Sequence, residues 1–331
     1  MRGRAVARWR FVLALAAAGA VACARASPLP VEEVAPGIWV HFGVQQDFLP
    51  ANGGDIANTG FVVGERCVAV IDTGGSLALG QRLREAVARV TPLPVCWVID
   101  THMHQDHVLG NAAFAGGSHP PVFVAHANFA AALVARERFY LHALERDFGT
   151  PMTHEQVVYP TQTVSGTLEL DLGGRRLTLE AWPTSHTDND LSVLDERTRT
   201  LFTGDLLFVG RLPVLDGKLR GWLTTLDVLR ARPVAVVVPG HGPASRDWPA
   251  PLDAERRYLL ALRDETRAAI RNRMTIQQAV ATVAADAAKG WLLAEQYHRR
   301  NVTAAYAELE WDRRPVARHR APSPRHSPRN R

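Results

Sequence analysis

The chain has 331 residues, 47% of them apolar, enough for one large domain or two modest ones with a full core and no covalent staples. Its net charge of +5 is carried by the ends: residues 1–26 hold five Arg and residues 313–331 hold seven, neither with an acid, which leaves residues 27–312 at −7. That balance offers no basic face for nucleic acid, and past the N-terminus no apolar run approaches membrane-spanning length.

In chain order, Arg2, Arg4, Arg8 and Arg10 precede an apolar run, Phe11 to Ala22, and Ala24-Arg25-Ala26 has the form of a cleavage site. Residues 1–26 therefore read as a signal peptide for the general secretory route, with a periplasmic product. Cys23 offers a lipid-anchored alternative by resemblance to bacterial lipoprotein signals, although Ala20-Val21-Ala22-Cys23 lacks their usual leucine. Residues 27–36 read as a Pro-containing lead-in and Ile38–Phe42 as a first strand. Gly60–Ile71 holds two strands about Gly64-Glu65-Arg66. Leu77–Val90 has helical periodicity, with Leu79, Leu83, Val87 and Val90 on one face. Cys96–Ile99 is a buried strand, and Asn128–Phe148 a helix. Leu168–Asp171 and Arg176–Glu180 form a hairpin about Gly173-Gly174, followed by strands at Leu191–Leu194, Thr200–Thr203 and Val234–Val238. Beyond these the pattern turns helical: Asp253 caps one helix, Thr275 and Gln278 form a capping box for another, Gly290 stops it, and Leu292–Leu309 supplies a last one. Residues 313–331 are almost free of apolar side chains and are expected to be disordered.

Strand–loop–helix alternation implies a parallel sheet covered by helices. Such sheets place their sites beyond the carboxyl ends of strands, and the chain's metal-ligating residue types gather there. His102-Met103-His104-Gln105-Asp106-His107 follows one strand, Phe202-Thr203-Gly204-Asp205 closes another, and Pro239-Gly240-His241-Gly242-Pro243 a third, with His186 in Thr184-Ser185-His186-Thr187-Asp188. Imidazole nitrogen and carboxylate oxygen are the ligands zinc takes. An extended His-x-His puts two imidazoles on one side, and the turn that follows faces Asp106 and His107 elsewhere. Seven such groups suffice for two ions with positions left open.

These motifs resemble the metallo-β-lactamase superfamily over residues 34–245. The first motif is Asp72 in Val70-Ile71-Asp72-Thr73-Gly74. More narrowly, the chain resembles the SoxH-related quinoprotein relay system zinc metallohydrolases, on the stretches Ala51–Asn58, Arg211–Gly217 and Tyr297–Thr303. The resemblance implies a four-layer αββα sandwich over 27–250, with a C-terminal helical extension over 251–312. It implies one zinc on His102, His104 and His186, a second on Asp106, His107 and His241, and Asp205 as the bridge. Asp106 and Asp205 are then the candidate catalytic carboxylates, and a hydroxide between the ions the nucleophile. Asp72 would support the ligand loops by hydrogen bonds. The expected activity is hydrolysis of an ester, thioester or amide-type carbonyl in a small anionic substrate, in association with a periplasmic quinoprotein system.

Two other readings stand beside it: a mononuclear iron persulfide dioxygenase of the same fold, and a non-catalytic metal-binding accessory protein. His104 occupies the place where di-iron oxidoreductases of the superfamily carry Glu, which favours zinc. The β-lactamases with Cys or Ser near the position of Asp205 differ from this chain, and the substrate domain of glyoxalase-type thioesterases is not recognisable in 251–312. Arg211 and Lys218 are candidates for a substrate carboxylate, or else solvated loop charges. Trp222 and Phe208 read as pocket or core. His126 reads as structural; His41, His119, His142, His154 and His298 lack ligand spacing. Cys67 and Cys96 fall on what would be neighbouring strands. An oxidising compartment permits a disulfide there, but two reduced, buried residues are the expectation. Specificity is assigned to residues 44–58, 127–165 and 208–222.

Overall fold

The computed structural model describes residues 27–149 and 153–311. The signal segment 1–26 with Cys23, and the tail 313–331, lie outside the described residues. Among the described residues twelve strands form two sheets. The first sheet runs in spatial order through β1 (Glu32–Ala35), β2 (Ile38–His41), β3 (Thr59–Val63), β4 (Val68–Ile71), β5 (Val95–Ile99), β6 (Val122–His126) and β7 (Gln162–Val164). Its first four strands pair antiparallel and its last four parallel. The second sheet has the order β12 (Val236–His241), β11 (Thr200–Phe208), β10 (Leu191–Asp195), β9 (Arg176–Ala181) and β8 (Thr167–Asp171). It is antiparallel except between β11 and β12.

Strand alternation builds the layers. In β4, Ala69 and Ile71 join Ile99 in the core between the sheets, where they meet Leu177, Leu191, Phe202 and Val238 of the second sheet. Val68 and Val70 face the other way, onto Leu79, Leu83 and Val87 of α1 (Leu77–Val90). On the far side, Leu201 and Val237 pack against α4 (Leu219–Arg230) and α5 (Ala250–Arg271). The result is the four-layer αββα sandwich with C-terminal helices that the resemblance implies. Helix α2 (Gln105–Val108) lies in the metal motif, and α3 (Phe129–Phe148) covers Met103, Val108 and Ala125. Helices α6 (Ile276–Thr282), α7 (Ala285–Ala288) and α8 (Ala294–Trp311) continue the cluster that begins at Trp182, so the helices past residue 250 share one core with α4 and β11. Among the described residues no helix is long and apolar enough to cross a membrane.

Several local expectations are corrected. The lead-in contains β1, paired with β2 through Glu32 and Val40. Helix α5 begins at Ala250, so Asp253 is not its cap; it sits in the first turn and pairs with Arg230 at 2.6 Å. The Thr275–Gln278 capping box is present, but α6 ends at Thr282 and the extra helix α7 precedes Gly290. Strand β11 runs on to Phe208, so Asp205 lies inside it, in a stretch where the pairing with β12 is irregular.

Cys67 and Cys96 are not reduced; a disulfide joins them, with Cα atoms 5.8 Å apart, inside the usual span for a bridge. The reason is register. Val68 stands opposite Val95 and Ala69 opposite Trp97, so Cys96 is the extra residue of a bulge beside Cys67. The bridge closes a separation of 29 residues. Replacing both cysteines by serine should cost about 3 kcal/mol, lowering the melting temperature by roughly 5–10 °C. An unchanged melt would show that the bridge contributes nothing.

Candidate metal centre

The strand ends bring the seven predicted ligands to one end of the sandwich, and two donor sets form there. His102, His104, His186 and Asp205 make one and Asp106, His107 and His241 the other; within each set the donor atoms lie within 4.8 Å of one another. His104 Nδ1 is 3.0 Å from His102 Nε2 and 3.1 Å from His186 Nε2. The carboxylate of Asp205 is divided between the sets. Its Oδ2 lies 3.6 Å from His102 Nε2 and 3.4 Å from His186 Nε2, while its Oδ1 lies 3.3 Å from His107 Nε2 and 3.4 Å from His241 Nε2. Asp106 Oδ2 is 3.3 Å from His241 Nε2.

These spacings suit a metal. Bonds of about 2.0–2.1 Å in a tetrahedral site put neighbouring donors about 3.3 Å apart. His107 Nε2 and Asp205 Oδ1 are buried without a hydrogen-bond partner, and an orphaned buried pair of this kind is costly unless a cation satisfies it. The charges agree. Burial pushes His107 down, but the carboxylates of Asp205, Asp72 and Asp106 overcome it and hold the ring well above its ordinary range. Burial likewise depresses His102, and takes His186 down to about 3. Burial would raise Asp106 and Asp205, yet the surrounding imidazoles, His107 foremost for Asp106 and His241 for Asp205, hold both well below the usual carboxylate range. The site calls for positive charge between its carboxylates.

Every ring is steered by its outward nitrogen. His107 Nδ1 meets Asp72 at 2.8 Å, His186 Nδ1 the Val214 carbonyl at 2.7 Å, His241 Nδ1 the Ile56 carbonyl at 2.7 Å, His102 Nδ1 the Thr101 hydroxyl at 3.1 Å, and His104 Nε2 Asp216 at 3.0 Å. With the outer nitrogen engaged, the inner one is free to ligate. Asp72 reaches this position because it ends β4 in the left-handed region, φ 54°, which Asp tolerates better than most residues. Its other oxygen accepts from the Thr101 backbone at 2.8 Å. Gly240 is obligatory: a Cβ there would stand 2.0 Å from Asp205 Oδ1.

The ligands open onto a cavity of about 170 Å³. Its apolar wall includes Phe48, Phe139, Tyr140, Phe208 and Tyr297, and its basic groups are Arg136, Arg211 and Arg300. Arg211 is not a solvated loop charge: it is 3% exposed, its Nε has no hydrogen-bond partner, and its guanidinium lies 5.9 Å from the Tyr297 ring centre. Lys218 is exposed at the start of α4 and does not line the cavity. Trp222 is fully buried core under His186, whereas Phe208 is both core and cavity wall. His126 is buried and accepts from the Asn128 backbone at 3.0 Å.

Sequence reasoning gave no role to the residues that hold these loops, although Asn58 and Asp216 fall in stretches that carry the resemblance. Asn58 Nδ2 donates to the Pro239 and Gly242 carbonyls, both at 2.8 Å, bracketing His241. Asn189 accepts from the Met103 backbone at 3.0 Å. Asp216 accepts from Arg136 at 2.7 Å and Arg300 at 2.9 Å besides His104. No spacing rule marks them, because each acts on a loop distant in sequence.

An αββα sandwich with paired His and Asp donor sets at one end defines a class of fold with a candidate metal centre. The family model of the metallo-beta-lactamase superfamily matches residues 52–241, and the chain belongs to that superfamily. Among solved structures, it is similar to the stereoselective inverting sec-alkylsulfatase Pisa1 from Pseudomonas sp., at 17% identity and a TM-score of 0.65, over 84% of this chain and 50% of that one. It is also similar to a metallo-beta-lactamase from Pontibacter korlensis, at 20% identity and a TM-score of 0.57, over 70% of this chain and 99% of that one. The chain thus spans about half the length of the sulfatase, and at these identities the likeness is one of fold. No curated protein matches the chain in sequence.

Proposed function

We propose that the protein is a hydrolase using two zinc ions, the first on His102, His104 and His186, the second on Asp106, His107 and His241, with Asp205 shared. The observation that carries this reading is the split of Asp205, one oxygen 3.4 Å from His186 and the other 3.4 Å from His241. When bound, two such ions acidify water at neutral pH and polarise the scissile group. The chain's own residues do the rest. Asp106 and Asp205, held ionised by the imidazoles, fix the donor sets and accept hydrogen bonds from the attacking water. Asp72 keeps His107 in the ligating tautomer. Tyr140, Phe48 and Phe139 shield the reacting group from bulk solvent.

The substrate is a small anion with an ester, thioester or amide-type bond, and the buried Arg211 supports this. A guanidinium out of water with an unpaired Nε favours an anionic partner. Arg211→Ala should raise KM for such a substrate about 10- to 100-fold, the worth of a charged hydrogen bond, with kcat nearly unchanged. A neutral analogue should be unaffected; equal losses on both would mean that Arg211 serves structure. The sulfatase likeness adds sulfate esters to the panel.

The Cys67–Cys96 bridge supports an oxidising compartment, in line with a periplasmic enzyme of residues 27–250 and helical extension 251–312 working beside a quinoprotein system. The test is elemental analysis of purified protein, with hydrolysis assayed on thioesters, lactones, β-lactams and sulfate esters. Two zinc ions and metal-dependent hydrolysis are expected. One iron per chain and oxygen uptake on glutathione persulfide would instead make it the dioxygenase; bound metal without turnover would leave the accessory role.

A further inference from the structure

We infer that α8 is a positioning device for the first donor set, acting through Asn301 and Arg300 on the loop 211–217. The inference rests on the metal-binding reading above and concerns what sets the geometry of His104 and His186. Both rings take their outward hydrogen bond from this one loop: His186 Nδ1 meets the Val214 carbonyl at 2.7 Å, and His104 Nε2 meets Asp216 at 3.0 Å. The loop is in turn bracketed from α8. Asn301, fully buried, accepts from the Leu215 backbone at 2.9 Å and donates to the Pro213 carbonyl at 2.6 Å, on either side of Val214. Arg300 donates to the second oxygen of Asp216 at 2.9 Å. Asp216 Oδ2, the oxygen that meets His104, also receives Arg136 from α3 at 2.7 Å.

A buried Asn whose two amide groups both bond the backbone of one loop leaves that loop a single conformation. Two candidate ligands hang from that conformation; of the second set only His241 meets the loop, through Arg211 at 3.2 Å, outside the stretch that Asn301 brackets. His107 is steered by Asp72 and His241 by Ile56, from the other side of the site. The C-terminal helix is therefore part of the first metal subsite rather than an appended cover. Partners that orient ligating histidines typically carry 10- to 100-fold in metal affinity.

The test separates the two subsites. In an Asp106→Ala background, where His102, His104 and His186 remain intact, chelator-stripped protein is titrated with zinc against a chromophoric chelator. Adding Asp216→Asn or Asn301→Ala should weaken zinc about 10- to 100-fold. In a His186→Ala background, where the second set remains, the same substitutions should leave zinc affinity unchanged. Arg300→Ala, half-exposed and touching no ligand, should weaken the first subsite alone without moving the melting temperature of the metal-free protein. It keeps the question open to test if Asn301→Ala fails to fold. Equal weakening in both backgrounds, or none in either, overturns the inference while the two-zinc reading stands. Failure of the unsubstituted protein to bind zinc overturns that reading, and this inference with it.

Discussion

Asp205→Ala is expected to abolish hydrolysis, by on the order of 10⁴-fold or more, the scale lost when a member of a unit that acts together is removed. Its carboxylate touches both donor sets, at 3.3 Å to His107 and 3.4 Å to His186, so its loss disturbs both together. Loss of Asp106, which faces His107 and His241 alone, should be milder. The checks are zinc content and kcat/KM measured on the same preparation. If the Asp205 variant keeps two ions and near-normal turnover, the shared-ligand assignment is wrong.

Stripping the metal is expected to lower the melting temperature by on the order of 10 °C. A ligand at a thousand times its dissociation constant stabilises by about 4 kcal/mol, and each kcal/mol moves a chain of this size by about 2 °C or a little more. The structure supplies the reason for a large effect. Without positive charge, Asp72, Asp106 and Asp205 crowd around His107, which then holds its proton. Calorimetry of the chelated and zinc-restored protein decides this. A melt that does not shift when zinc is restored would mean that the donor sets hold no ion in solution.

The candidate donor set was legible in sequence because metal chemistry uses few residue types and the strand-and-turn geometry spaces them tightly. His102, His104, Asp106 and His107 come from one short stretch, and His186, Asp205 and His241 each follow a Gly, Ser or Thr close to an apolar run. Helix α1 and the β8–β9 hairpin were legible for a like reason, since periodicity and turn chemistry act within a few residues. β1 was missed because four residues ending in Val34-Ala35 become a strand only through their pairing with β2. The disulfide was missed because a bulge in β5, invisible in composition, turns Cys96 toward Cys67.

The sequence by itself determined the fold class and which side chains can bind metal, because burial patterns and ligand chemistry are local properties of the chain. Only the tertiary structure decided how those side chains are held and what stands around them. Arg211 and Lys218 look alike as loop cations, yet one is buried beside His241 and the other faces water. Asp216, Asn301 and Arg300 fall in stretches that carried only a family resemblance and no role, yet Asn301 and Arg300 meet the loop of Asp216 from more than 80 positions away. The physical reason is that a hydrogen bond depends on distance in space, and packing α8 against α5 and α6 is what brings those positions within 3 Å.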